Sequence, residues 1–137
     1  MRLVVDTNIL FSYFWQDSKT CGIFCKQELD IFAPEFALSE LGKYREHIMK
    51  KAKISLKDFN IILEDLAYVI PTVPLSDYKR ELEHAQELTS DDKDVDFVAL
   101  ALKLDAGLWT KDKHLRSQSK IPVFGTEEIL QKLTKSI

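Results

Sequence analysis

Two hydrophobic periods alternate along this chain. Short apolar or β-branched runs predict buried strands, and stretches with apolar residues every three or four positions predict helices. Val4-Val5 closes a predicted strand at 2–6. A helix at about 8–15 follows, with Ile9, Leu10, Tyr13 and Phe14 at helical spacing. Ser18 is a candidate cap for a second helix, to about Glu28. Ile31-Phe32-Ala33 reads as a short strand, with Pro34 in the first turn of the next helix. That helix carries Phe36, Leu38, Leu41 and Tyr44 and is predicted to continue into the basic residues after it. Ser55 and Asp58 resemble a capping box before Phe59, Ile62 and Leu66. Tyr68-Val69-Ile70 and Thr72-Val73 predict a strand interrupted by Pro71, and Ser76 opens a helix to about Leu88. Asp91 to Asp94 begin another, whose body from Phe97 to Leu104 is apolar on most faces and therefore belongs between layers. Gly107-Leu108-Trp109-Thr110 is a strand. Ile121-Pro122-Val123-Phe124 is a last one, an edge because of its proline. Thr126, Glu127 and Glu128 open the final helix. Strands alternating with helices predict an α/β sandwich around a parallel sheet.

The 137 residues suit a single domain, 1–137, and the 45 % hydrophobic and 30 % charged content is that of a globular protein. No apolar run approaches the roughly 20 residues of a membrane helix. The chain opens on a strand rather than a secretion signal, so a cytoplasmic protein with no membrane partner is expected. Cys21 and Cys25, four apart, share a helical face and read as small buried apolar residues. His47, His84 and His114 have no zinc-ligand spacing. The net charge of −3 argues against a protein that coats nucleic acid. Charge is nevertheless segregated. Residues 43–57 hold Lys43, Arg45, Lys50, Lys51, Lys53 and Lys57 against Glu46, whereas residues 77–96 are strongly acidic.

Within this pattern the carboxylates form a constellation. Asp6 and Asp112 sit just past the ends of two predicted parallel strands, which lie on one side of the sheet. Asp94 starts the buried helix that leads into the second of those strands, so it falls at the same rim. Glu40 lies on the helix after strand two. Acids that converge this way repel one another unless a cation or a shared proton relieves them. Oxygen-only ligands select hard cations such as Mg2+ or Mn2+, and such a site suits attack of water on a phosphodiester.

Four motifs carry a family resemblance: Val4-Val5-Asp6-Thr7-Asn8-Ile9-Leu10, Leu38-Ser39-Glu40-Leu41, Asp94-Val95-Asp96-Phe97-Val98-Ala99-Leu100-Ala101 and Leu108-Trp109-Thr110-Lys111-Asp112. In this order and spacing the chain resembles the PIN-domain ribonucleases, including the toxins of VapBC-type toxin–antitoxin pairs. The resemblance implies a three-layer α/β/α sandwich with a mostly parallel sheet of four to five strands. It implies a Mg2+ or Mn2+ site in which Asp6, Glu40, Asp94 and Asp112 are the catalytic acids. Asp6, Asp94 and Asp112 would hold the metal, with Asn8 and Thr110 as supporting polar residues. Where the commonest toxin pattern has Ala after the third acid, this chain has Val95 and then Asp96. Asp96 points roughly 200° around the helix from Asp94 and is the rival for the third acid.

The expected function is metal-dependent endoribonucleolytic cleavage, as a toxin with a small antitoxin partner or as a related PIN nuclease. A catalytically silent PIN scaffold is the non-enzymatic alternative. A phosphatase forming an aspartyl-phosphate on Asp6 is another, but Asn8 stands where a second Asp is wanted, and Lys111 is its one candidate cation. On a continuous helix, Lys43 and Lys51 lie within about 60° of Glu40 and would guide the RNA backbone. The large residues Phe11, Tyr13, Phe14, Trp15 and Phe24 suggest an exposed patch and a homodimer.

Overall fold

Leu3, Val4 and Val5 of strand β1 (Arg2–Val5) are fully buried. Successive strand residues point to opposite faces, so both faces of β1 are covered, as in the middle of an α/β sheet. The computed structural model describes residues 1–15, 18–118 and 120–135. After β1 come α1 (Thr7–Phe14), α2 (Ser18–Phe24), β2 (Asp30–Pro34), α3 (Glu35–Lys43), α4 (Arg45–Ala52) and α5 (Leu56–Val69). They are followed by β3 (Thr72–Val73), α6 (Leu75–Tyr78), a 3-10 turn at Lys79–Glu81, α7 (Leu82–Leu88) and α8 (Val95–Leu104). The chain then forms β4 (Gly107–Trp109), a 3-10 turn at Lys113–Ser117, β5 (Val123–Phe124) and α9 (Thr126–Lys135).

The five strands are all parallel, in the order β3-β2-β1-β4-β5. From β1 the chain builds outward through β2 and β3, then returns to the other side of β1 for β4 and β5. The reversal falls between β1 and β4, and in open α/β sheets a ligand crevice forms at such a point. Val4 pairs with Leu108 and Val5 with Trp109, so the residues after both strands emerge together at the carboxyl edge.

Helices cover the sheet as its two-faced burial requires. α8, with Phe97 to Ala101 all buried, packs on β1, β2 and β4, and α7 packs on α8. α1 packs against α2, α3, α4 and α5. Aromatic rings fill that side: Phe14 stacks on Phe59 at 5.1 Å, and Phe24 meets Trp109 at 5.1 Å. The fully buried Trp109 satisfies its indole N–H by donating to Thr126 Oγ1 on α9 at 3.1 Å. With these rings buried or half-buried against one another, they are not the exposed patch expected for a dimer. The large exposed apolar residues are instead Leu56, Ile61, Tyr68 and Val69 on α5, with Met1, Tyr44 and Leu75 elsewhere.

Four sequence-based boundaries are corrected. The helix expected to run from Pro34 into the basic residues breaks at Tyr44, whose φ of −97° and ψ of 17° leave the helical basin. The break turns α4 so that Ile48 is fully buried. Tyr68 and Val69 belong to α5 rather than to a strand, because the Ser55 cap launches a helix that runs until Pro71 stops it. Ser55 Oγ accepts from the Asp58 N–H at 3.1 Å, as the capping box predicts. The helix expected at 76–88 is interrupted by the 3-10 turn, and α2 ends at Phe24. Cys25 lies past that end and is exposed rather than buried. The capping role expected of the Ser18 side chain lies outside the described residues.

Gly107 opens β4 where a side chain would collide. A Cβ there would stand 2.7 Å from Phe124 Cε2 and 3.3 Å from Leu3 Cδ2. Overpacking costs about 1–3 kcal/mol, and loss of glycine's freedom in the unfolded chain returns only about 0.4–1 kcal/mol. Gly107→Ala should therefore lower the unfolding free energy by about 1–2 kcal/mol. Urea titration checks this, and adding Phe124→Leu should restore part of the loss.

Candidate active site

Asp6 follows β1 and occupies the N-cap position of α1, with extended φ and ψ of −77° and 155°. Its backbone carbonyl accepts from the N–H groups of Ile9 and Leu10 at 3.0 and 3.2 Å. The Thr7 and Asn8 N–H groups face its carboxylate, but neither makes a regular side-chain cap. Instead Oδ2 accepts from the Thr110 hydroxyl at 2.6 Å. The same hydroxyl oxygen accepts from the Asp112 N–H at 2.9 Å. Thr110 thus ties the end of β1 to the turn after β4, and it is 2 % exposed.

Asp94 repeats the arrangement on α8. It is the N-cap residue, its side chain forms no capping bond, and it is 8 % exposed. Asp112 differs, because its Oδ1 caps the 3-10 turn by accepting from the His114 N–H at 2.9 Å. Asp6, Glu40, Asp94 and Asp112 all line one cavity of about 350 Å³, and Asn8 joins them from the first turn of α1. Phe11, Tyr44, His47 and Phe97 form an aromatic wall beside them, Asp91 adds a further acid, and Lys93 is a cation in the same lining. Asp91, Asp94 and Asp112 also wall a second cavity of about 440 Å³, lined by Leu88, Thr89, Ser90 and His114.

The electrostatics follow from burial and crowding. Burial is the largest influence on Asp94, followed by the charges of Asp6, Asp91 and Asp112, and together they push its pKa up to about 7. A hydrogen bond to Asp112 that uses the carboxyl proton acts the same way. Burial also raises the pKa of Asp6, against the opposing pull of the Thr110 hydroxyl and the Thr7 and Asn8 N–H groups. The Thr7 hydroxyl oxygen, also at this cavity, is buried without a hydrogen-bond partner. Among the described residues no three His, Cys, Asp or Glu side chains are drawn together closely enough to hold a metal ion. The donor chemistry nevertheless fits a hard divalent cation. All the acids are oxygen donors, and a proton takes the place of a counter-charge on Asp94.

Asp96 and Lys51 fall elsewhere. The Asp96 carboxylate accepts a hydrogen bond from the hydroxyl of the buried Tyr78, and of the two acids Asp94 lines the cavity and Asp96 does not. Burial first, and then this bond, raise the Tyr78 pKa. The break at Tyr44 removes the helical relation between Lys51 and Glu40. The Lys51 ammonium lies over the Trp15 ring, 4.7 Å from its centre, in a different cavity. Lys43 remains exposed in the last turn of α3, near the site but outside its lining. Sequence reasoning overlooked Asp91, Lys93, Tyr44 and His47. The Asp91-Asp92-Lys93-Asp94 run was a visible signal for the first two; the other two depend on the unpredicted break.

Comparison with known proteins identifies the family and agrees with the fold. The PIN-domain family model matches residues 4–134, and the chain belongs to that family. PIN domains are generally nucleases and typically use divalent metal ions. A chain of VapBC2 from Rickettsia felis, crystallised with a DNA fragment from its promoter, is 18 % identical with a TM-score of 0.60, over 91 % of this chain and 98 % of that one. PAE2754 from Pyrobaculum aerophilum is 16 % identical with a TM-score of 0.65, over 98 % of this chain and 90 % of that one. Comparison with curated proteins gives no match. Among the described residues no helix is long and apolar enough to cross a membrane.

The raised Asp94 pKa fixes a pH dependence. The folded state holds a proton that the unfolded chain releases near pH 4, so stability is fully present below that value and falls as pH rises to about 7. Asp6 contributes with the same sign. Thermal melts in EDTA should show a Tm that declines over this window, and Asp94→Asn should flatten the decline. Added Mn2+ should raise the wild-type Tm, and more strongly as pH rises, because cation and proton compete for the same oxygens.

Proposed function

We propose that the chain is a metal-dependent endoribonuclease. The observation that carries the reading is the pair of buried N-cap acids, Asp6 and Asp94, both free of capping bonds and both facing one cavity with Asp112 and Glu40. Buried carboxylates crowded together are costly unless they serve a ligand. Asp6, Asp94 and Asp112 would hold Mg2+ or Mn2+, with Glu40 completing the set. When bound, such a cation neutralises charge on the phosphoryl oxygens and acidifies the attacking water. Thr110 holds Asp6 in place by its short hydrogen bond, and the same hydroxyl fixes the turn that presents Asp112. Asn8 is exposed at the rim, where its amide can orient a phosphate, and Lys43 adds positive charge nearby.

Cavities on both sides of Asp91, Asp94 and Asp112 favour cleavage within a strand over cleavage at an end, since nucleotides on either side of the scissile bond each have a place. The phosphatase alternative is disfavoured. The Lys111 ammonium it requires donates to the buried Ser12 Oγ at 3.0 Å and does not line the cavity. A silent scaffold would be expected to have lost acids, and all four are present at the cavity. The likeness to VapBC2 supports the toxin form of this reading, with a small antitoxin protein as partner and the cytoplasm as its place of action.

Wild-type protein should cleave mixed single-chain RNA with Mn2+ or Mg2+ and not with EDTA. Asp6→Asn and Asp94→Asn should each reduce the rate at least about 100-fold. Intact RNA under all metal conditions would refute the reading. A homodimer belongs to the same proposal, with the exposed apolar residues of α5 as its surface. Light scattering at micromolar concentration should give twice the chain mass, and Ile61→Lys with Tyr68→Lys should return the monomer. A wild-type monomer removes the dimer without touching the chemistry.

A further inference from the structure

The two cavities that share the acids differ in chemistry. One is walled by Thr89, Ser90 and His114, the other by Phe11, Tyr44 and His47. We propose that the aromatic wall is a subsite for one unpaired nucleobase beside the scissile phosphate, with Tyr44 as its stacking surface. This rests on the nuclease reading above and adds the residue that receives the base.

Tyr44 is well placed for this. It is 42 % exposed although it is a large aromatic residue at a cavity. An edge-to-face contact with Phe11, centroids 5.9 Å apart and planes at 86°, holds the ring without burying it. Phe11 is braced in turn by stacking on Trp15 at 6.4 Å. The break between α3 and α4 sets Tyr44 apart from both helices, so its position is defined by backbone geometry and by Phe11 together.

Charge around the ring matches a nucleotide strand. Lys43 and Arg45 flank Tyr44 in sequence and are exposed, and among the described residues neither takes part in an ion pair. Cations beside an aromatic surface are the usual means of holding a single strand, the cations binding phosphates and the ring binding a base face. A base within a duplex has both faces covered by its neighbours. It reaches such a wall only when unpaired and turned out of the stack.

The test measures binding separately from cleavage. Full-length protein carrying Asp6→Asn is titrated in Mg2+ with a labelled oligoribonucleotide, single-stranded or annealed to its complement. A second strand carries 2-aminopurine to report stacking. Tyr44→Phe should keep single-strand affinity and the fluorescence quench. Tyr44→Leu, which retains the apolar contact with Phe11, should lose the quench and bind about 5- to 100-fold more weakly. Duplex binding should be weaker at the outset and unaffected by either change. A thermal melt of the Leu variant confirms that it folds. Equal single-strand affinity in the Leu variant and the parent overturns the proposal, as does a Phe variant as weak as Leu. Failure of the nuclease reading is separate: a wild-type protein that cleaves nothing but binds the strand through Tyr44 refutes the chemistry and leaves the subsite standing.

Discussion

The buried hydroxyl of Thr110 is the contact on which the rest of the site depends. It donates to Asp6 and accepts from the backbone of Asp112, so one oxygen couples the ends of two neighbouring strands. The coupling is available because β1 and β4 are parallel and in register, which brings Asp6 and Thr110 side by side. A sheet built in another order would leave both acids at a rim but not at the same place on it. The order reversal beside β1 and the hydroxyl between the strands are therefore two aspects of a single constraint.

That constraint sets the electrostatic problem the protein has to manage. Two nearly buried carboxylates, with Asp91 and Asp112 close by, cannot all be ionised in a metal-free pocket at little cost. The fold reduces the cost with the Thr110 hydroxyl and the N–H groups at the start of α1, and it leaves the remainder to a proton on Asp94. The pocket is thus held in a state that a cation would relieve, and the stability given up in its absence is the counterpart of affinity gained in its presence.

Much of this was legible in the sequence because it is carried by local pattern. The β-branched run before Asp6, the nearly all-round apolar body of α8 and the proline just before the last strand identify a parallel sheet without reference to distant contacts. The acids at strand ends follow from the same reading. What stayed hidden depends on tertiary packing. Nothing local to Tyr44 announces a break, which forms because α4 must turn for Ile48 to enter the core, and with it go the placements of His47 and Lys51. Tyr68 and Val69 are β-branched or aromatic and look like strand residues, yet the capped helix behind them runs on through both. The partner that removes Asp96 from the site, Tyr78, lies on a helix whose packing on α8 is a long-range fact.

The pairing of β1 with β4 also has a consequence in time. β1 is made before β4, so one of its two edges stays open until the residues of β4 emerge, and Asp6 lies 104 positions before the hydroxyl that positions it. At synthesis rates of roughly 5–20 residues per second, the interval lasts on the order of seconds. Throughout it, Asp6 lacks Thr110 and Asp112, and the pocket does not exist. The connectivity that centres the first strand thus makes assembly of the pocket wait for β4.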